Sequence, residues 1–279
     1  MNRVELHHGA ATDVGRVRQV NEDAFLADPP VFAVADGMGG HDSGDVASRY
    51  AVEELARLAP GGYDLDEGTT AVAAALEAAQ DRLLAYDEEQ RAAGAGAGFA
   101  AGTTVVVALL VQSADRPHWL LANVGDSRIY RWNEDELEQV SVDHSLVQEL
   151  VDAGRITPDD ALGHPHRNVV TRALGGPAMP GPVSGAADYY LLPLAAAERL
   201  LLCSDGVSGM VDDVTIASIL AGYDDPRDAA DALVAAAVTA GGHDNATAVV
   251  VDVVGLANVE PYDSHAQRLS LEQKLGALP

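Results

Sequence analysis

Val31-Phe-Ala-Val-Ala-Asp36-Gly-Met-Gly-Gly40 carries five apolar residues straight into an aspartate and a glycine-rich turn. The arrangement returns three more times along the chain. Asp126 follows Leu120-Leu-Ala-Asn-Val-Gly, Asp205 follows Leu200-Leu-Leu-Cys-Ser, and Asp244 stands just before Asn245-Ala-Thr-Ala-Val-Val-Val. Short apolar runs rich in β-branched residues read as buried strands, so carboxylates are expected at strand ends, where rigid elements can aim them at one point. Like charges brought together need a cation. Oxygen ligands without a Cys or His cluster favour a hard divalent ion, Mg²⁺ or Mn²⁺. The alternative, that each Asp caps its own turn, accounts for any one of them more readily than for all four.

Composition bounds the rest. A chain of 279 residues with 48% hydrophobic content can bury a substantial core. Its formal charge of −26 repels polyanions, which argues against nucleic acid or an anionic membrane as partner. Lys274 is the only lysine, which removes a P-loop, a kinase-type phosphate lysine and a Schiff base in the core. Cys203 is the only cysteine, so no intrachain disulfide or thiolate zinc site can form. The N-terminus has no apolar signal core, and the apolar stretch from Val105 to Val111 is too short to span a bilayer. A cytoplasmic, monomeric protein without a membrane segment is the expectation.

Strand patterns occupy 5–12, 23–27 and 31–35, and Asp36-Gly-Met-Gly-Gly is expected to turn the chain. A helix starting near Asp42 or Ser43 places Val46, Ala47, Tyr50, Ala51, Leu55 and Leu58 on one face, and Pro60-Gly-Gly ends it. Thr69 or Thr70 is expected to cap a second helix with a stripe of Val72, Leu76, Ala79, Leu83 and Tyr86. The run Gly94-Ala-Gly-Ala-Gly reads as a flexible connector. Strands at 103–111, 117–124, 127–132 and 136–140 follow, with short polar turns that favour antiparallel pairing. Residues 145–180, rich in Gly, Pro and His, read as a flap of helical or irregular structure. A strand at 198–204, helices near 213–221 and 226–240, and a closing strand at 246–254 complete the core. Residues 255–279 form a tail with at most a short helix around Leu269 to Leu275. The layer rule then gives an α+β body, two mainly antiparallel sheets packed face to face with helices outside, in one domain over residues 1–254.

Taken in order, Gly15-Arg-Val-Arg18-Gln-Val-Asn21-Glu22-Asp23, Ala35-Asp36-Gly37-Met-Gly-Gly40-His41, Gly102-Thr-Thr104, Val124-Gly-Asp126-Ser-Arg128, Asp143-His-Ser, Arg167-Asn-Val-Val-Thr-Arg-Ala-Leu-Gly175, Cys203-Ser-Asp205-Gly206 and His243-Asp-Asn245-Ala-Thr247 resemble the metal-dependent serine/threonine protein phosphatases, the type 2C or PPM family, in their bacterial form. The resemblance spans about residues 5 to 254. It implies a four-layer αββα sandwich with a centre of two Mn²⁺ or Mg²⁺ ions at one end. By position, Asp36 would bridge both ions, the Gly37 carbonyl would bind one, and Asp205 with Asp244 would hold the other. Asp23 and Glu22 would act through water, and Arg18 would take the phosphate. A planar, permanently charged guanidinium suits two phosphoryl oxygens. The implied reaction is hydrolysis of phosphoserine and phosphothreonine by a metal-bridging hydroxide, opposing a bacterial Ser/Thr kinase.

Two positions depart from the pattern. A third ion in bacterial members uses the Asp matching Asp126 and an Asp four residues beyond the one matching Asp205, where this chain has Gly209. A third ion is therefore expected to be weaker here. Animal members carry a general-acid His directly after Asp-Gly, where this chain has Met38; His41 is offset, and the leaving oxygen would take its proton from water on the metal. His144, His164 and His166 are expected in structural or solvent-facing roles, and Cys203 as a buried residue. Gly209 and Met210 rule out a tyrosine-phosphatase loop and a Gly-x-Ser-x-Gly elbow. A phosphoprotein-binding module without catalysis and a phosphatase of small phosphate esters are the competing readings.

Overall fold

The computed structural model describes residues 3–39, 43–113, 116–133, 136–175, 187–195 and 197–257. In chain order, β1 (Arg3–Asp13), β2 (Asp23–Asp28) and β3 (Val31–Gly39) lead to α1 (Gly44–Ala56) and α2 (Leu65–Ala92). Then come β4 (Ala101–Thr103), β5 (Val105–Ser113), β6 (Arg116–Val124), β7 (Arg128–Trp132) and β8 (Leu137–Gln139). The flap contributes α3 (Leu146–Asp152) and α4 (Pro158–Leu162), followed by β9 (Leu174–Gly175) and β10 (Asp188–Pro193). β11 (Arg199–Cys203), α5 (Asp205–Ser208), α6 (Asp213–Gly222), α7 (Pro226–Ala240) and β12 (Ala246–Ala257) close the chain.

One sheet runs β1-β12-β11-β7-β8, and the other runs β10-β6-β5-β3-β4-β9 with β2 attached to β3. Their ladders are antiparallel throughout. Alternation along each strand makes the layers, because successive side chains leave opposite faces. Val31, Ala33 and Ala35 of β3 pack with Leu55, Leu76 and Leu83 of the first two helices. Phe32 and Val34, the residues between, meet Leu200, Leu202, Val249 and Val251 of the opposite sheet. On the far side, Leu201, Cys203, Ala248 and Val250 pack against Ile216, Leu233 and Ala237 of α6 and α7. This is the expected αββα sandwich, and a fully buried leucine such as Leu201 contributes about 2–3 kcal/mol by leaving water.

Several local expectations are corrected. β3 does not turn at Asp36-Gly37; it runs on to Gly39 and pairs with β4 from Gly37↔Thr103 to Gly39↔Ala101. The expected strand 103–111 is split at Thr104, with no residue inserted. There the Thr103 hydroxyl and the Thr104 N–H both donate to the Asp36 carbonyl, and the Asp36 N–H donates to Thr104 Oγ1. The second helix begins earlier than Thr69 because Asp64 and Glu67 form a reciprocal capping box. Thr69 and Thr70 instead donate their hydroxyls to Leu65 and Asp66 carbonyls within it. β10, an edge strand ending in Pro193, and the short helix α5 have no counterpart among the expected elements. The closing strand continues to Ala257. The short helix expected near Leu269 lies outside the described residues, as does His41.

Candidate metal centre

The carboxyls gather at one end of the sandwich, each delivered by a different element. Asp36 lies within β3 and faces Asp23, the first residue of β2, directly across the ladder. Asp205 opens α5 where the chain leaves β11, Asp126 sits in the turn after β6, and Asp244 precedes β12. Like charges opposed across a ladder are repulsive. Burial first, and then the repulsion of Asp23 and Asp205, hold the Asp36 carboxyl well above the usual range. Burial lifts Asp23 to about 7 against the opposing pull of the neighbouring Thr247 and Ser204 hydroxyls, with Asp205 and Asp244 adding to the rise. Burial, followed by the Asp205 charge, lifts Asp126 to about 7. Asp205 is raised by burial, while a hydrogen bond from Asp36 lowers it. The opposite effects of this contact on the two groups mark Asp36 and Asp205 as close neighbours, with Asp36 the more strongly raised.

Packing fixes these placements. Ser204 Oγ donates to Asp23 Oδ2 at 2.8 Å and accepts from the Thr247 N–H at 3.0 Å, tying β11, β12 and β2 together. Asp23 Oδ1 is buried without a hydrogen-bond partner. At Gly37 an added Cβ would stand 2.1 Å from the Gly44 carbonyl oxygen and 2.4 Å from that of Glu22, so only glycine lets β3 approach the start of α1. Glu22 itself accepts from the Gly44 N–H at 3.1 Å, which places its carboxylate on the N-terminus of α1. Gly125 has φ +116° and packs on Thr104, and Thr104 Oγ1 meets Ser127 Oγ at 2.7 Å. The turn is held further by Arg128, whose Nε and Nη2 bind Asp143 at 2.8–3.1 Å.

Arg18, like Arg128, brings a positive charge to the cluster. Its Nη2 donates to Asp244 Oδ2 at 2.8 Å, and this bond raises its pKa, as do the charges of Asp244, Glu22 and Asp36. Asp244 Oδ1 accepts from the Asn245 N–H at 2.9 Å. The sequence-predicted residues Arg18, Glu22, Asp23, Asp36, Gly37, Asp126, Asp205 and Asp244 are therefore neighbours in space. Yet among the described residues no three His, Cys, Asp or Glu side chains form a ready-made cage for one ion. Asp244 is instead paired with Arg18 at 2.8 Å. A buried, mutually repelling set of oxygen donors with one orphaned oxygen fits hard divalent cations, which would remove the repulsion.

A cavity of about 480 Å³ opens beside the cluster, between α5 and the flap helices. Asp126, Asp205 and Asp244 line its floor, and Val147, Val151 and Leu162 of the flap line its wall. Gly209 also lines it, so that position contributes no carboxylate of its own. His144 is structural: its Nδ1 accepts from the Gly125 N–H at 3.1 Å and its Nε2 faces Asp188 Oδ2 at 3.1 Å. Cys203 is buried in β11, and burial pushes its thiol up to about 12, which makes it inert. The sequence reading gave no role to Ser204, Thr104 or Asn245. Their adjacency to Asp205, to the Gly102-Thr-Thr segment and to Asp244 was the available signal.

Comparison with known proteins follows the same line. The family described as Protein phosphatase 2C matches residues 15–243. Serine/threonine phosphatase stp of Listeria innocua is 35% identical over 262 residues, covering 88% of this chain and 96% of the relative. The crystal structure of the Mycobacterium tuberculosis serine/threonine phosphatase PstP/Ppp is 36% identical, with a TM-score of 0.76 over 91% of this chain and 100% of that one. The catalytic domain of PstP in complex with two manganese ions is likewise 36% identical, with a TM-score of 0.74 and the same coverage.

Proposed function

The chain belongs to the protein phosphatase 2C family, and from that premise we propose that it hydrolyses phosphoserine and phosphothreonine in proteins with two Mn²⁺ or Mg²⁺ ions. The observation that carries the reading is the cluster of buried carboxyls Asp23, Asp36, Asp126 and Asp205, raised by burial first and then by neighbouring carboxylates, beside the Arg18–Asp244 pair. Asp36 would hold both ions, the Gly37 carbonyl one of them, and Asp205 with Asp244 the other. Asp126 would serve a third, weaker site that lacks a carboxylate at Gly209. When bound, the ions supply Lewis acidity that brings water within reach of deprotonation near neutral pH and draws charge off the phosphoryl oxygens. The related structure with two manganese ions supports that count.

The chain's own residues do the rest. Arg18 exchanges its carboxylate partner for two phosphoryl oxygens and orients the ester. Asp23, held at Oδ2 by Ser204, presents Oδ1 to accept a hydrogen bond from the attacking water. Glu22 keeps the start of α1 against β3. The flap wall of the cavity takes the polypeptide that flanks the phosphorylated residue. Phosphoproteins handled by an opposing Ser/Thr kinase are the substrates, met in the cytoplasm by a monomer whose domain spans residues 1–254. No helix among the described residues is long and apolar enough to cross a membrane.

Phosphate release from a phosphothreonine peptide in Mn²⁺ tests the reading. Asp36→Asn and Asp205→Ala should abolish release while leaving the far-ultraviolet dichroism intact, and a chelator should stop the unaltered protein reversibly. Undiminished release in excess chelator would overturn it.

A further inference from the structure

The loop that carries Arg18 leaves β1 at Asp13 and enters β2 at Asp23, and one buried side chain closes it. Asn245, 4% exposed, donates from Nδ2 to the carbonyl oxygens of Val14 and Val20, each at 3.0 Å. Its Oδ1 accepts the Glu22 N–H at 2.9 Å. A primary amide has two N–H donors in a fixed fork, and here both go to the two sides of one loop mouth. Near its first side the loop is also pinned by the Arg16 N–H on the Gly242 carbonyl at 2.7 Å and the Gly15 N–H on Asp13 Oδ1 at 2.7 Å. On its second side, the bond from Asn245 to the Val20 carbonyl anchors the stretch 17–20. Arg18 sits within that stretch, with its side chain 48% exposed.

We propose that Asn245 is a positioning residue for phosphate capture, which stapling Val14 to Val20 accomplishes by holding the Arg18 loop in one shape. Asp244 holds the tip of Arg18 while the next residue holds its loop, so consecutive positions set both the side chain and its base. A half-exposed arginine on an untied loop samples many rotamers, and a two-pronged contact with phosphate needs one. Removing the amide unties the loop and frees the Glu22 N–H, and it leaves Arg18 and every carboxylate chemically intact. The inference rests on the reading of Arg18 as the phosphate-binding group.

The test uses the full chain in Mn²⁺, a phosphothreonine peptide as substrate and inorganic phosphate as competitive inhibitor. Asn245→Ala removes the staple; Asn245→Asp keeps its shape but sets an oxygen against both carbonyls. Each should raise the phosphate Ki and the peptide KM about tenfold, and in Asn245→Ala Mn²⁺ binding by calorimetry should change far less, because the amide bonds the loop and the Glu22 N–H and no carboxylate. In an Arg18→Ala background the same changes should add nothing further. Additive effects on Ki, or lost Mn²⁺ affinity in place of phosphate affinity, would overturn the inference. So would loss of the fold in both variants, which would make Asn245 a core residue only. If Arg18→Ala alone leaves Ki unchanged, the reading of Arg18 fails and takes this inference with it. If Arg18→Ala raises Ki and the Asn245 variants do not, this inference fails alone.

Discussion

Replacing Asp126 with asparagine should stabilise the metal-free protein at pH 8 and leave its stability nearly unchanged at acid pH. Asp126 is 8% exposed, and burial with the Asp205 charge lifts its carboxyl from 3.8 to about 7. The sign follows from linkage. Between those values the unfolded chain has released the proton and the folded chain retains it, so stability falls as pH rises from about 4 to about 7 and then levels off. Each tenfold change in proton affinity is worth about 1.36 kcal/mol, so the full rise corresponds to on the order of 4 kcal/mol lost above pH 7. Asparagine fills the same space and cannot ionise, which removes that loss. Urea unfolding of both proteins in chelator, at half-unit steps from pH 4 to 8.5, measures the difference. The gap should open across that window in favour of the variant. A gap that is flat with pH, or that favours the wild type at pH 8, would refute the account of a buried carboxyl held up by its neighbours. Saturating Mn²⁺ should narrow the gap, since cations at Asp36 and Asp205 remove part of the repulsion.

Other consequences can be measured independently. Gly37→Ala drives a Cβ against the Gly44 and Glu22 carbonyl oxygens and should cost on the order of 3 kcal/mol, read as a lower melting temperature together with lost turnover. Mn²⁺ at a hundred times its Kd should stabilise the wild type by about 2.7 kcal/mol per site, seen as a rise in melting temperature that Asp36→Asn largely lacks. Arg199, 7% exposed, binds Asp252 through Nε at 2.6 Å and Nη2 at 2.8 Å and also the carbonyls of Leu220, Tyr223 and Asp224. Arg199→Met leaves those acceptors unpaired and should cost about 3–5 kcal/mol in urea unfolding, with kcat per folded molecule unchanged.

Much of the architecture was legible because burial imposes a period on the residues. Val31 to Ala35, Val105 to Val111 and Ala246 to Val251 are apolar on both faces, as strands covered on both sides must be. The helical stripe of Val72, Leu76, Ala79 and Leu83 is buried as its spacing indicates. The misread boundaries have local causes. The capping box at Asp64 outranks the threonines, and the hydroxyls of Thr103 and Thr104 keep β3 extended through Asp36-Gly37, where glycines suggest a turn.

The sequence by itself singled out the candidate side chains, because apolar runs ending in Asp36, Asp126 and Asp205 and the one following Asp244 are properties of the linear order. Only the tertiary structure decided how those groups stand to one another. Asp23 opposes Asp36 across a ladder, the Asp205 charge helps to raise Asp36, Arg18 rests on Asp244, and Asn245 ties down the loop of Arg18. These relations join residues as many as 231 positions apart. Charge repulsion, desolvation and hydrogen bonding act through distance in space, which the fold sets and the spacing along the chain does not.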